Sequence, residues 1–166
     1  TRKDLVRDFK VDIKKTRKVL HGIDHLTFRP IDGIKRKPNQ LITTASADVP
    51  LKGLIYLIRA YDLLLKDFPE LELIVIGKLS KINIKQIRKV LSKKIINYKI
   101  YKNQNNLNKV MMLSDILVTN SGTTKFEATL MRLPSIIIAN DKDTIENQIA
   151  FAKRKTSIYL GYYKSN

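Results

Sequence analysis

Short apolar runs alternate with segments of helical period from about residue 41 to the end of the chain. The runs show little polar alternation, which is typical of parallel strands covered on both faces. The segments between these runs have their apolar residues at helical spacing. We therefore predict an α/β fold, a Rossmann-like three-layer domain with a mostly parallel sheet. Strands are predicted at residues 41–45, 71–77, 97–101, 116–120, 135–139 and 157–160, and helices at 54–65, 84–91, 107–113, 123–131 and 144–153.

The length of 166 residues suits one domain preceded by a segment of different character. Residues 1–40 carry 12 Lys and Arg against 5 Asp and Glu, contain Pro30 and Pro38, and have one short apolar run at Val19 and Leu20. This composition predicts a basic hinge or connector segment at 1–40, and a Rossmann-like domain at 41–166.

The composition also excludes several classes of site. The chain has no Cys, which removes disulfides, thiolate metal sites and thiol nucleophiles, and its two His argue against a His-rich metal site. We predict neither a metal nor a cofactor. The sequence has no apolar run near the roughly 18 residues of a membrane span and no signal peptide before its first charged turn. We expect a cytoplasmic protein, with the inner face of a membrane as an alternative place for the basic segment.

The formal charge of +17, from 32 Lys and Arg against 15 Asp and Glu, points to a polyanionic neighbour. Nucleic acid, an anionic membrane face and phosphorylated ligands all fit, and so does a compositional bias without function. Nucleic acid is disfavoured because no recognised binding signature is present and the aromatic residues are not interleaved with the basic runs.

Ligands of open parallel sheets bind where strands end and helices begin, so the loops at these junctions are the candidate sites. Lys52 precedes a long amphipathic helix and could hold a phosphate, or could be a solvated Lys at a helix start. At the end of the strand predicted at 116–120, Gly122 permits a tight turn, and Thr123 or Thr124 could cap the following helix. This arrangement suits a diphosphate. Glu127, one turn later, could accept hydrogen bonds from ribose hydroxyls; the alternative is a capping turn with a carboxylate favoured by the helix dipole.

A third polar segment, residues 140–148, follows the candidate strand at 135–139. Its carboxylates and amides could hydrogen-bond the hydroxyls of a sugar. The alternative is a surface helix capped by Asp143 or Thr144. The candidate sugar ligands in this segment are Asp143, Asn147 and Gln148.

The first half of the chain contains a group of short motifs at residues 21–24 (His-Gly-Ile-Asp), 28–30 (Phe-Arg-Pro), 49–53 (Val-Pro-Leu-Lys-Gly) and 69–77. With these motifs it resembles the C-terminal domain of GT-B glycosyltransferases of the group 1 type. A second group of motifs lies within residues 106–161, at residues 120–127 (Asn-Ser-Gly-Thr-Thr-Lys-Phe-Glu) and 133–135 (Leu-Pro-Ser). This part is similar to UDP-sugar enzymes such as the peptidoglycan N-acetylglucosaminyltransferase and the nucleotide-sugar hydrolase of pseudaminic acid synthesis.

The resemblance implies one lobe of a GT-B fold, which binds a nucleotide-sugar donor and transfers the sugar from a UDP-type donor to a glycan or lipid-linked acceptor. It implies an N-terminal acceptor-binding lobe, in the same or a separate chain, as a partner. An anionic membrane surface is a further expected partner. The alternative function is a non-catalytic basic module that binds nucleic acid or another polyanion. The resemblance assigns the diphosphate to Lys52, Ser121, Gly122, Thr123 and Thr124, the ribose to Glu127, and the sugar to Asp143, Asn147 and Gln148.

Overall fold

A single parallel sheet organises the chain. The computed structural model describes residues 2–17, 22–45, 53–77, 85, 98–101, 107–139 and 141–162. Within these residues six strands pair in the order β3-β2-β1-β4-β5-β6, and every pair is parallel. The prediction of an α/β, Rossmann-like fold is confirmed. The strands are β1 (Gln40–Thr44), β2 (Glu72–Ile76), β3 (Tyr98–Tyr101), β4 (Ile116–Thr119), β5 (Ser135–Ala139) and β6 (Ser157–Tyr162).

The described helices fall between the strands or before the first of them. They are α1 (Arg2–Phe9), α2 (Leu54–Leu64), α3 (Leu107–Leu113), α4 (Thr124–Leu130) and α5 (Ile145–Ala152), with single 3-10 turns at Ile13–Lys15 and Lys142–Thr144. The predicted strand and helix positions agree with these bounds to within one or two residues. The helix predicted at 84–91 and the apolar pair Val19 and Leu20 lie outside the described residues, apart from Lys85, which is helical.

Alternate residues of the central strands point to opposite faces of the sheet, and both faces are apolar. One face carries Leu73 and Val75 of β2, which pack in one cluster with Ile58 and Tyr61 of α2. The other face carries Ile42, Ile74, Ile76 and Leu117, which form one core cluster with Met111 of α3, Ala128 of α4 and Met131 after α4. Covering on both faces explains why the strands read as continuous apolar runs. None of the helices in the described residues combines the length and the apolar character that a membrane span needs.

The basic segment at 1–40 contacts the sheet domain near its end. The Arg36 guanidinium donates to the carbonyl oxygens of Ser114, Met131 and Arg132 at 2.8, 2.9 and 2.9 Å. These carbonyls follow α3 and α4, where the last turn of a helix leaves acceptors unpaired. Phe28 also packs against the core cluster on that face. The connector is therefore joined to the domain by specific contacts.

Glu72 forms a buried charged cluster at the start of β2. Its carboxylate accepts hydrogen bonds from Lys37 Nζ at 2.7 Å, Gln40 Nε2 at 2.6 Å and Lys99 Nζ at 2.6 Å. Burial alone raises the pKa of Glu72, but the hydrogen bonds from Lys37, Lys99 and Gln40 outweigh it and bring the pKa to about 2. The cluster joins the connector to the three neighbouring strands β1, β2 and β3.

This cluster predicts an acid-sensitive contribution to stability. The folded pKa of Glu72 lies below its ordinary value of 4.5, so the contribution is complete above pH 4.5 and disappears as the pH falls towards 2. We expect Glu72→Gln to lower the free energy of unfolding by about 1–2 kcal/mol at pH 7, because the two lysines are half exposed and screened by solvent. Urea unfolding at pH 7 and pH 2.5 measures this. Glu70→Gln, the same substitution at an exposed position, is the control. The assignment would be contradicted if wild type and Glu72→Gln differed in free energy of unfolding as much at pH 2.5 as at pH 7.

Candidate functional site

The strand order reverses between β1 and β4. From β1 the chain continues through α2 to β2 on one side, whereas β4 continues through α4 to β5 on the other side. The two strands are neighbours in register, with Thr43 opposite Val118, so their carboxyl ends lie at the same edge. Open parallel sheets bind ligands in the crevice at such a reversal. The two loops singled out in the sequence, before α2 and before α4, therefore leave the same edge of the sheet.

The loop between β1 and α2 is described at its two ends. Ala45 follows β1, and Gly53 precedes α2 with a φ of 88°, a left-handed conformation that glycine adopts without strain. Lys52 lies outside the described residues. Its neighbour Gly53 places the start of α2 at the edge where the crevice opens.

The second loop forms a turn at residues 120–123, called the 120–123 turn below. Asn120 Oδ1 accepts the Gly122 N–H at 3.1 Å, and both Gly122 and Thr123 are exposed. Thr123 stands directly before α4, but its side chain makes no capping hydrogen bond. Capping by Thr123 or Thr124 was expected and is wrong, because Thr123 has helical dihedral angles (φ −74°, ψ −24°), whereas a capping side chain needs an extended backbone.

The missing cap leaves donors available at the start of α4. Within the described part of the chain, the backbone N–H groups of Thr123, Thr124 and Lys125 make no hydrogen bond. Such groups carry the positive end of the helix dipole. The start of α4 therefore presents backbone donors and the positive end of a helix dipole beside the 120–123 turn.

Glu127 lies one turn into α4 and is half buried. Burial raises the pKa of its carboxyl group. No residue that the structure describes forms a hydrogen bond or an ion pair with this carboxylate. In a chain with 32 Lys and Arg, a half-buried carboxylate without such a partner is an acceptor available to a ligand.

The segment at residues 141–148 meets the 120–123 turn. The hydroxyl oxygens of Ser121 and Thr144 are 2.9 Å apart, and Thr144 donates its own proton to the carbonyl of Asp141 at 2.8 Å. Ser121 is therefore the donor to Thr144. The structure thus brings together two segments that were separate candidates in the sequence. Asp143 and Asn147 are exposed there.

Gln148 faces the interior instead of the surface. Its side chain is 1% exposed, and its Oε1 accepts a hydrogen bond of 2.6 Å from Lys125 Nζ. Sequence reasoning placed Gln148 with Asn147 on the sugar and overlooked Lys125. The helical period contained the signal, because Lys125 shares a face of α4 with buried Ala128, three residues later.

Residues 26–153 match the protein family described as "Glycosyl transferases group 1". Over 57 residues the chain is 42% identical to an MMP alpha-(1->4)-mannosyltransferase of Mycolicibacterium hassiacum; this covers 34% of the chain and 13% of that protein. Two crystal structures share its fold. A glycosyltransferase of Rickettsia africae ESF-5 has a TM-score of 0.69 and 17% identity, over 98% of this chain and 47% of that one. The C-terminal domain of a group 1 family glycosyl transferase (LpcC) of Francisella tularensis has a TM-score of 0.56 and 16% identity, over 80% and 88%. The chain thus spans about half of the Rickettsia protein and much less of the mannosyltransferase.

Proposed function

The chain belongs to the group 1 glycosyltransferase family, and we propose that it is the nucleotide-sugar-binding lobe of a glycosyltransferase that uses a UDP-type donor. The sugar passes to a glycan or lipid-linked acceptor. The observation that carries this proposal is that the carboxyl ends of β1 and β4 lie side by side at the reversal of the strand order. The half-buried carboxylate of Glu127, in the helix that follows β4, has no hydrogen-bond partner or ion pair among the described residues.

The diphosphate is the part of the donor that the proposal assigns to the rim of the crevice. Transfer of the sugar breaks its bond to the diphosphate, which leaves with additional negative charge. Donors held in place before the reaction stabilise such charge without reorganisation. The N–H groups at the start of α4 and the ammonium of Lys52 are the proposed donors, together with Ser121 and Gly122 of the 120–123 turn.

Glu127 is proposed to hold the ribose. Its carboxylate has acceptor oxygens for both ribose hydroxyls, and it follows the 120–123 turn by one helical turn. Asp143 and Asn147 are the proposed sugar ligands, since both are exposed next to that turn. Gln148, whose Oε1 accepts a hydrogen bond from Lys125, is the third proposed sugar ligand.

Two partners complete the proposal. An N-terminal lobe, in the same or a separate chain, would supply most acceptor contacts across the crevice. The basic connector would contact an anionic membrane face, because exposed Phe9 and Ile13 are close in sequence to exposed Lys14 and Lys15.

Calorimetry with the chain and a panel of UDP, GDP, ADP and inorganic pyrophosphate tests the proposal. We expect UDP to bind and, at a hundredfold excess over its Kd, to raise the Tm by about 5 °C. If only GDP or ADP gives heat, the donor carries that nucleotide and not UDP. Absence of heat with every nucleoside diphosphate would overturn the function. Salt-dependent retention on RNA in that case would indicate the nucleic-acid-binding alternative.

A further inference from the structure

Lys125 is a buried cation directly beneath the 120–123 turn. The residue is 4% exposed, and its ammonium donates to Gln148 Oε1 at 2.6 Å and to the Ser121 carbonyl oxygen at 3.3 Å. The ammonium also lies over the rings of Phe126 and Phe151, 5.0 and 5.3 Å from their centroids. Two aromatic faces and two neutral oxygens therefore form the environment of this charge.

No carboxylate of the described residues pairs with Lys125. A buried ammonium is costly, and a paired carboxylate ordinarily offsets much of that cost. Burial accordingly lowers the pKa of Lys125. Its positive charge is not cancelled by these neighbours, and salt screens a buried charge much less than an exposed one.

The contacts of Lys125 also determine how the turn is oriented. The C=O and N–H of one peptide group point in opposite directions. Because the Ser121 carbonyl is directed inward to the ammonium, the Gly122 N–H is directed away from it, towards Asn120 Oδ1. The Ser121 hydroxyl separately joins the turn to Thr144. The turn is thus held against the start and the middle of α5.

We propose that Lys125 is a positioning residue of the donor site, which holds the 120–123 turn against α5 and supplies a buried positive charge beneath the bound diphosphate. This inference rests on the proposed function. It gives Gln148 a role as the partner of Lys125, and it gives a function to a buried ammonium that has no carboxylate partner among the described residues.

Two variants separate the charge of Lys125 from its packing. Lys125→Met removes the charge, while its flexible thioether still packs between the two phenylalanine rings. Gln148→Glu keeps an acceptor for the ammonium but cancels its charge with a paired carboxylate. Lys153→Met removes the same charge from an exposed position at the end of α5 and is the matched control.

Calorimetry with UDP and with uridine, which lacks phosphate, provides the readout. We expect Lys125→Met and Gln148→Glu each to weaken UDP binding about tenfold and to change uridine binding less than twofold. Gln148→Glu should not lower the Tm. Lys153→Met should leave both ligands within twofold of wild type, because its exposed charge is screened.

The outcomes distinguish the inference from the function on which it rests. A wild-type chain that binds neither UDP nor another nucleoside diphosphate would overturn both. If the wild type binds UDP and Gln148→Glu binds it equally well, only the role of the charge is overturned. Equal losses of UDP and uridine in Lys125→Met, with Gln148→Glu unaffected, would identify a purely structural lysine and overturn the inference as well.

Discussion

Replacement of Glu127 by alanine is expected to weaken UDP binding about 100-fold while inorganic pyrophosphate binds as well as before or better. Only UDP carries a ribose, so only UDP loses the two hydrogen bonds that its hydroxyls donate to the carboxylate. Hydrogen bonds to a charged acceptor stabilise by about 1.5–3 kcal/mol each, and a hundredfold loss lies at the lower end of two such bonds. Removal of a negative charge near the 120–123 turn also reduces repulsion of the pyrophosphate anion.

Calorimetry with UDP and pyrophosphate at pH 7.5 measures how much binding of each ligand changes. Binding of 2′-deoxy-UDP to the wild type provides a check that needs no substitution. Loss of one ribose hydroxyl should weaken wild-type binding by about tenfold and should have little effect on Glu127→Ala. Glu70→Ala, which removes an exposed carboxylate at the opposite edge of the sheet, is the control. Equal losses of UDP and pyrophosphate in Glu127→Ala would rule out a ribose contact.

A second large effect is expected on stability, from Gly77→Ala. A Cβ atom on Gly77 would lie 1.8 Å from the carbonyl oxygen of Ala45 and 2.8 Å from its carbonyl carbon. Both are backbone atoms at the end of the neighbouring strand β1, and they cannot rotate away as a side chain would. The same region is held by hydrogen bonds from the Ala45 N–H to the Ile76 carbonyl at 2.8 Å and from the Gly77 N–H to the Tyr101 carbonyl at 3.1 Å.

Relief of this overlap must displace the ends of β1 and β2, so we expect Gly77→Ala to lower the free energy of unfolding by about 3 kcal/mol. Urea denaturation measures the change. Gly22→Ala is the matched control, because no atom lies within 4 Å of its added Cβ, and it should change stability by less than about 0.5 kcal/mol. A Gly77→Ala chain as stable as the wild type would mean that Ala45 moves freely. Weaker UDP binding is also expected, since Ala45 leads into the loop that contains Lys52.

Local patterns were sufficient for the strands, the described helices and the edge of the sheet from which the candidate loops leave. Apolar runs such as those of β2 and β5 need cover on both faces, and that requirement alone predicts parallel strands separated by helices. The direction of a parallel strand then decides at which edge its loop emerges. Glu127 became a candidate from local spacing too, because it lies about one helical turn beyond the loop that contains Gly122.

Contacts between residues far apart in the chain were decided only by the tertiary structure. Arg36 reaches three carbonyls about 80–95 positions away, and Lys125 meets Gln148 across two helices. The sequence suggested a sugar-binding amide at Gln148 and did not single out Lys125, and the packing of α4 against α5 directs both side chains inward. Periodicity along a helix shows which residues share a face, whereas the neighbour that this face meets depends on how the helices pack. The sequence by itself determined the sheet and its ligand-binding edge, and the packing of the helices decided which polar groups there remain available to a ligand.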